Sequence, residues 1–357
     1  MRIFMLIKWL HNSGAPKMFM WLANTFAKRG HDVMVCTYHN HYEGMLSPLV
    51  KHVDFTDEER GFWGRIKRIR GIVKEFDADV SISFLLDANV YNMFACYRLR
   101  TKSIVCERND PFKPHYWKLK FWKPWFRLAD GAVFQLPKVA EYYSCIKGET
   151  VVIPNPIIER PHERCLPFSE REKIIVAHGR IDIEQKRQDL LIMAFALLHH
   201  VFPDYILSIY GSGNDKDVAK VKDLVSQLKL SSSVRLEGET KNPLEAIKNA
   251  RVWVMTSDFE GIPNALIEAM SIGLPCVATD CSPGGARLLI DNEKNGFVVP
   301  RGDYRAVYQK MRYLIEHTDE AEKMGMEALH IAERFVPEDI AKQWESYCKK
   351  IHGNPPS

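Results

Sequence analysis

The chain has 357 residues, 46% of them apolar and 26% charged, an ordinary globular composition that excludes a disordered or fibrous protein. At about 150 residues per domain, that length predicts two domains. No apolar run reaches the roughly 18 residues of a membrane span, and Met1-Arg2-Ile3-Phe4-Met5-Leu6-Ile7 is cut short by Lys8 with no cleavage pattern behind it, so a cytoplasmic, uncleaved chain is expected.

The net charge of +4 is unevenly spread: residues 1–155 carry 23 Lys/Arg against 15 Asp/Glu, a net +8, and the remainder 26 against 30, a net −4. A basic first half points to an anionic partner there, be it nucleic acid, a phospholipid surface or a phosphorylated acceptor. The eight cysteines form no C-x-x-C pair and most sit in apolar, strand-like surroundings, which predicts buried reduced thiols rather than zinc ligands or disulfides.

In chain order, short apolar runs at 2–7, 33–38, 80–84, 103–106, 132–135 and 151–153 read as strands with helices between them, the rhythm of a parallel α/β sheet. After Ile153-Pro154-Asn155-Pro156 a polar stretch to Glu172 reads as a linker, and the pattern restarts. Strands are expected at 173–177, 205–210, 234–237, 252–256, 276–279 and 297–299, with helices at 189–200 and 264–271 among them. Helical patterns at 303–317, 320–334 and 337–351 close the chain without a further strand. Open parallel sheets bind ligands beyond the carboxyl ends of their strands, so the chemistry belongs in the loops there.

One such loop leaves the strand at 252–256 through Asp258-Phe259-Glu260-Gly261-Ile262-Pro263-Asn264-Ala265-Leu266-Ile267-Glu268. Gly261 permits a tight or positive-φ turn, Pro263 suits a first helical turn, and the amides of that turn favour an anionic diphosphate. Glu268, within the helix, offers two carboxylate oxygens to a ribose diol, and Glu260 lies in the loop. Arg180 and Lys186 flank the loop after the strand at 173–177, where a fork and a point charge can neutralise a leaving diphosphate without a metal. Gly211 and Gly213, in Gly211-Ser212-Gly213-Asn214, mark a further close approach of backbone.

These residues, running on through Ala269-Met270-Ser271-Ile272-Gly273-Leu274-Pro275, resemble the family 4 retaining glycosyltransferases, whose fold is GT-B, two Rossmann-like domains facing a cleft. The resemblance is specific over about residues 174–305, including Thr279-Asp280-Cys281 and Asn295-Gly296-Phe297. Asn12-Ser13-Gly14-Ala15-Pro16, with Leu22-Ala23-Asn24 after it, resembles the acceptor-side loop and first helix.

The resemblance implies an acceptor-binding domain over 1–160, a donor-binding domain over 161–335, and a C-terminal helix over 336–357 packed on the first. It assigns Arg180 and Lys186 to the diphosphate, Glu268 to the ribose and Glu260 to the donor sugar. It implies retention without a tightly bound metal or other cofactor, the departing phosphate taking the acceptor's proton. A UDP-sugar is favoured over GDP-mannose, and a lipid-linked glycan of capsule, O-antigen or exopolysaccharide assembly is the expected acceptor. Many relatives carry His-Asp after a first-domain strand where this chain reads Glu107-Arg108-Asn109-Asp110, and any of the four can stand in for that histidine. Ser13 and Gly14 join them on the acceptor side.

The segment 112–127 holds seven aromatics, five Lys/Arg and no acid. Trp117, Lys118, Lys120, Trp122, Lys123 and Trp125 read as an interfacial patch for an anionic membrane, which makes the enzyme peripheral at the inner face; the nucleic-acid reading of the same charges has no other support. The pairs Asp77/Asp79 and Asp215/Asp217 are rejected as metal sites, the first because it precedes its strand, the second as ordinary acids at a helix start. Two other readings stay open: a nucleotide-sugar epimerase on the same fold, and a non-catalytic membrane-associated protein, which leaves Arg180, Lys186, Glu260 and Glu268 unexplained.

Overall fold

Every residue of Val80–Phe84 is buried, as a strand in a parallel sheet covered on both faces must be. It belongs to the first of two units of the computed structural model, which describes residues 1–11, 14–39, 46–56, 61–113, 116–158 and 166–353. The first unit comprises Met1–Pro156 and Pro337–Ser357, the second Ile157–Val336, so the division falls four residues before the expected Arg160.

The first unit runs β1 (Arg2–Leu6), α1 (Gly14–Lys28), β2 (Asp32–Thr37), β3 (Val50–Asp54), α2 (Phe62–Glu75), β4 (Val80–Phe84), α3 (Leu86–Cys96), β5 (Lys102–Cys106), α4 (Trp117–Trp122), β6 (Gly131–Phe134), α5 (Pro137–Tyr142) and β7 (Glu149–Val152). Its sheet is parallel, in the order β3-β2-β1-β4-β5-β6-β7. Strand β3 has no counterpart among the strands expected from the sequence. It is an edge strand whose only buried residue is Val50, so no apolar run announces it.

The second unit runs β8 (Glu172–His178), α6 (Gln188–Val201), β9 (Ile206–Tyr210), α7 (Asp215–Gln227), β10 (Val234–Gly238), α8 (Pro243–Ile247), β11 (Ala250–Met255), α9 (Asn264–Ser271), β12 (Cys276–Thr279), α10 (Gly285–Leu289), β13 (Phe297–Val299), α11 (Tyr304–Glu316), α12 (Thr318–Ala328) and α13 (Ile331–Arg334). The expected helix over 320–334 is thus two helices. Its parallel sheet has the order β10-β9-β8-β11-β12-β13, so the strand order reverses between β8 and β11, where an open sheet of this kind forms its crevice. Phe195, Leu207, Val252, Val254 and Met311 are fully or almost fully buried in the core beneath.

The last helix, α14 (Pro337–Gly353), belongs to the first unit. Arg29 at the end of α1 binds Glu345 at 2.8 Å and Glu338 at 2.7 Å, while His31 reaches the other Glu345 oxygen at 3.1 Å. The Arg29 guanidinium, with Lys349 and His31, holds the Glu345 carboxyl down at about 2. Tyr347 donates its hydroxyl to the Glu149 carbonyl at 2.6 Å, and a Cβ on Gly131 would fall 2.4 Å from the tyrosine oxygen.

Candidate functional site

Two loops meet at the β8/β11 reversal. The strand β11 ends at Met255, and the next residue, Thr256, donates its hydroxyl to the carbonyls of Lys186 (3.0 Å) and Arg187 (2.8 Å). Asp258 N donates to Gln185 O at 2.8 Å, so the loop after β8 is stitched backbone to backbone onto the loop after β11. Within the β8 loop, Lys186 N donates to Asp182 O at 2.7 Å and Gln185 N to Asp182 Oδ1 at 2.9 Å. Arg187 takes the left-handed conformation at φ 53° and binds Asp189 and Asp258.

That stitching brings Lys186 Nζ to 2.6 Å from Glu260 Oε1. Ser257 Oγ donates to the same oxygen at 2.8 Å, and Gln185 Nε2 approaches Oε2 at 3.3 Å. Glu260 is buried, whereas Lys186 keeps part of its surface open. Arg180 differs: its side chain is 64% exposed and is tied to Asp182 (2.7 Å) and Gln185 (2.9 Å) on its own loop. Such a long exposed cation remains able to turn toward an anion.

Glu268 projects from α9, one oxygen 2.9 Å from His178 Nε2 at the end of β8. On the far side of the imidazole, Trp253 Nε1 donates to Nδ1 at 2.9 Å. Pro263 caps α9 and Asn264 is its first residue. Ile262, Pro263 and Leu266 are buried and hold the turn on the sheet, while Gly261, Asn264 and Ala265 are partly exposed. Gly261 is not among the positive-φ glycines of the described residues, so its turn is tight without being left-handed. Gly211, at φ 135°, lies where a Cβ would sit 2.0 Å from Gly179 O, and a Cβ on Gly213 would sit 2.4 Å from Ile181 O. Both therefore let the loop after β9 lie directly on the loop that carries Arg180. Gln185, Ser257, Thr256, His178 and Trp253 were not among the residues expected from the sequence. Only the position of His178 at a strand's carboxyl end pointed to it.

In the first unit, Ser13 lies outside the described residues, and Gly14 opens α1 at φ 53°. Glu107, Arg108 and Asp110 are buried, and Asn109 alone of the four is partly exposed. Burial pushes the Glu107 carboxyl up to about 7, although its Oε1 accepts from the amides of Arg108 and Asn109 at 3.1 Å. Arg108 stacks over Phe84 (4.1 Å) and binds Asn155.

The segment expected to be interfacial forms α4 and a following 3-10 turn at Lys123–Leu128. Leu119 and Phe126 are buried; Trp117, Lys118, Lys120 and Trp125 are exposed, and Trp122 and Lys123 half-buried. Trp122 stacks on Phe62 at 5.3 Å, which joins α4 to the start of α2; Trp63 is 70% exposed there, and Trp117 (67%) and Phe121 (62%) are exposed in the same unit. Among the described residues no helix is long and apolar enough to cross a membrane. Asp77 and Asp79 bind Arg2, and Asp217 is engaged by Asn214 at the start of α7. Among the described residues no three His, Cys, Asp or Glu side chains form a group that could hold a metal ion.

Residues 160–330 match the family model described as glycosyl transferases group 1. The chain is 30% identical over 252 residues to an uncharacterized glycosyltransferase of Methanocaldococcus jannaschii, covering 63% of this chain and 61% of that protein. It is 24% identical over 360 residues, 96% of this chain and 97% of the relative, to the Campylobacter jejuni alpha-1,4-N-acetyl-D-galactosaminyltransferase named for a GalNAc-GalNAc-diNAcBac-PP-undecaprenol acceptor. Its fold is shared with Anabaena HepE solved in complex with UDP-glucose, at a TM-score of 0.82 and 19% identity over 98% of this chain and 99% of that one. The loop that pairs Lys186 with Glu260 and the helix that presents Glu268 lie inside the matched region. Over residues 160–330 the chain belongs to the glycosyl transferases group 1, and its two units have the GT-B fold.

Proposed function

We propose that the chain transfers a sugar, with retention and without a bound metal, from a UDP-linked donor to a lipid-linked glycan at the anionic inner face of a membrane, in the assembly of a bacterial cell-surface polysaccharide. The observation that carries this reading is the Lys186–Glu260 pair, 2.6 Å apart beyond the carboxyl ends of the adjacent strands β8 and β11. A cation and a carboxylate held there can divide the donor between them. Lys186, with the exposed Arg180, takes the diphosphate charge, and the first-turn amides of α9 add their partial positive charge. Glu260 accepts a hydroxyl of the donor sugar, and Glu268 the ribose diol.

As the bond from the anomeric carbon to phosphate breaks, its electron pair stays on the diphosphate. The acceptor hydroxyl bonds to the anomeric carbon from the same face, and its proton passes to a phosphate oxygen. UDP is favoured because the structurally similar HepE was solved with UDP-glucose, and a lipid-linked acceptor because the Campylobacter relative is named for one. The membrane surface is supported by Trp63, Trp117, Phe121 and Trp125 exposed in a unit that also carries Lys118, Lys120 and Lys123.

The test is a panel of UDP- and GDP-sugars scored for diphosphate release with and without membrane lipid extract. Release from a UDP-sugar that depends on the extract is expected. Release from GDP-sugars alone overturns the choice of nucleotide, and extract-independent release at full rate overturns the lipid acceptor. In parallel, the variant with Lys118, Lys120 and Lys123 changed to Glu should lose binding to vesicles containing anionic phospholipid; binding equal to wild type removes the membrane surface from the proposal.

A further inference from the structure

The imidazole of His178 is almost enclosed, and its two nitrogens have partners of opposite kind: Trp253 Nε1 at 2.9 Å from Nδ1, and Glu268 Oε2 at 2.9 Å from Nε2. An indole nitrogen can only donate. Nδ1 therefore accepts, and the proton on Nε2 points at the carboxylate. We infer that Trp253 and His178 are positioning residues for the donor's ribose: Trp253 sets the tautomer of His178, and His178 sets the orientation of the Glu268 carboxylate that receives the diol. The inference deepens the proposed function and rests on its reading of Glu268.

A carboxylate's two oxygens offer about four acceptor sites, so one oxygen can hold the His178 proton and a ribose hydroxyl together. Two neighbouring hydroxyls require both oxygens in one defined plane. A glutamate free to rotate would lose that freedom on binding, whereas one already pinned loses little. The order of the chain Trp253, His178, Glu268 is also directional. Replacing Trp253 by Phe keeps an aromatic ring but removes the N–H, which leaves Nδ1 without its donor and the imidazole without the bond that holds its orientation toward the carboxylate. Both residues come from strands, β8 and β11, that are hydrogen-bonded neighbours, so the device sits on the rigid part of the unit.

The experiment compares affinity for UDP and GDP, each beside its dideoxyribose analogue, which lacks the diol, in wild type, Glu268→Ala, His178→Ala, His178→Gln and Trp253→Phe. Wild type should prefer the diol form of its nucleotide by on the order of tenfold, and Glu268→Ala should abolish that preference. His178→Ala and Trp253→Phe should each cut it by roughly threefold or more while leaving affinity for the analogue unchanged. His178→Gln should keep most of it, because its amide can accept from Trp253 and donate to Glu268. A purely structural role for the pair would weaken diol and dideoxy forms alike with the preference intact, and that result overturns the inference. If Glu268→Ala itself retains the preference, or wild type has none, the ribose reading of Glu268 fails first. Should His178→Ala not fold, Trp253→Phe and His178→Gln carry the same comparison.

Discussion

Each unit passes from an interior strand into a charged loop, and the surroundings of the charges differ. After β8 and β11 the charges are paired yet reachable: Lys186 lies on buried Glu260, His178 on Glu268, and Arg180 stands largely in solvent. After β5, Glu107, Arg108 and Asp110 are all buried, with Glu107 pushed up to about 7 and Arg108 enclosed against Phe84. Similar residue types thus serve opposite ends. A paired charge at a surface can change partner when an anion arrives, whereas a charge sealed inside the fold weighs on stability and is held by its own neighbours.

The largest effect should come from Lys186. Lys186→Ala is expected to lower kcat/KM for nucleotide-sugar turnover by about 10²–10³-fold, because a fixed cation is withdrawn from the developing diphosphate charge. It also leaves Glu260 buried without its counter-ion, so Tm should fall; adding Glu260→Gln should restore Tm but not turnover. Turnover that returns together with Tm would mean that the pair is structural, and the contrast between the loops would collapse.

The next effect lies in the first unit. The folded Glu107 carboxyl titrates near 7 against 4.5 for the ordinary group, because burial disfavours its charge. The folded state therefore binds the proton more tightly, and the stability it contributes is complete below about 4.5 and lost as pH rises through about 7. Glu107→Gln should flatten that dependence and be more stable than wild type at pH 8 by on the order of 1–3 kcal/mol, measured by urea unfolding at pH 5 and pH 8. An equal difference at both pH values contradicts the buried-charge account.

Glu345 sharpens the contrast from within the same unit, since its carboxyl is depressed to about 2, chiefly by its bond to Arg29. Its stabilisation is present above about 4.5 and is lost as pH falls through about 2, the reverse of Glu107. Glu345→Gln should destabilise by about 1–2 kcal/mol at neutral pH, with the difference vanishing in acid. A difference that persists in acid would show that it arises from packing of α14 rather than from charge.

Much of the second unit was legible from its sequence. The bounds of α9, β12 and β13 follow from apolar periodicity interrupted by glycine and proline, and Glu260 and Glu268 stand on a strand-turn-helix whose local pattern is complete within a dozen residues or so. Edge strand β3 was not legible, because an edge with one buried residue carries no hydrophobic signal. The break between α12 and α13 was missed as well.

By itself the sequence determined the βα rhythm, the two-unit organisation and the identity of the residues that end strands and start helices, because each depends on neighbours a few positions away. Tertiary structure decided the partnerships. Thr256 anchoring the loop of Lys186, Trp253 fixing His178 and His178 reaching Glu268 join positions 70, 75 and 90 residues apart, and Glu107 is a buried carboxyl only in the folded first unit. Hydrogen-bond direction and burial are properties of what folds against a residue, which is why the chemistry of these groups appears only in three dimensions.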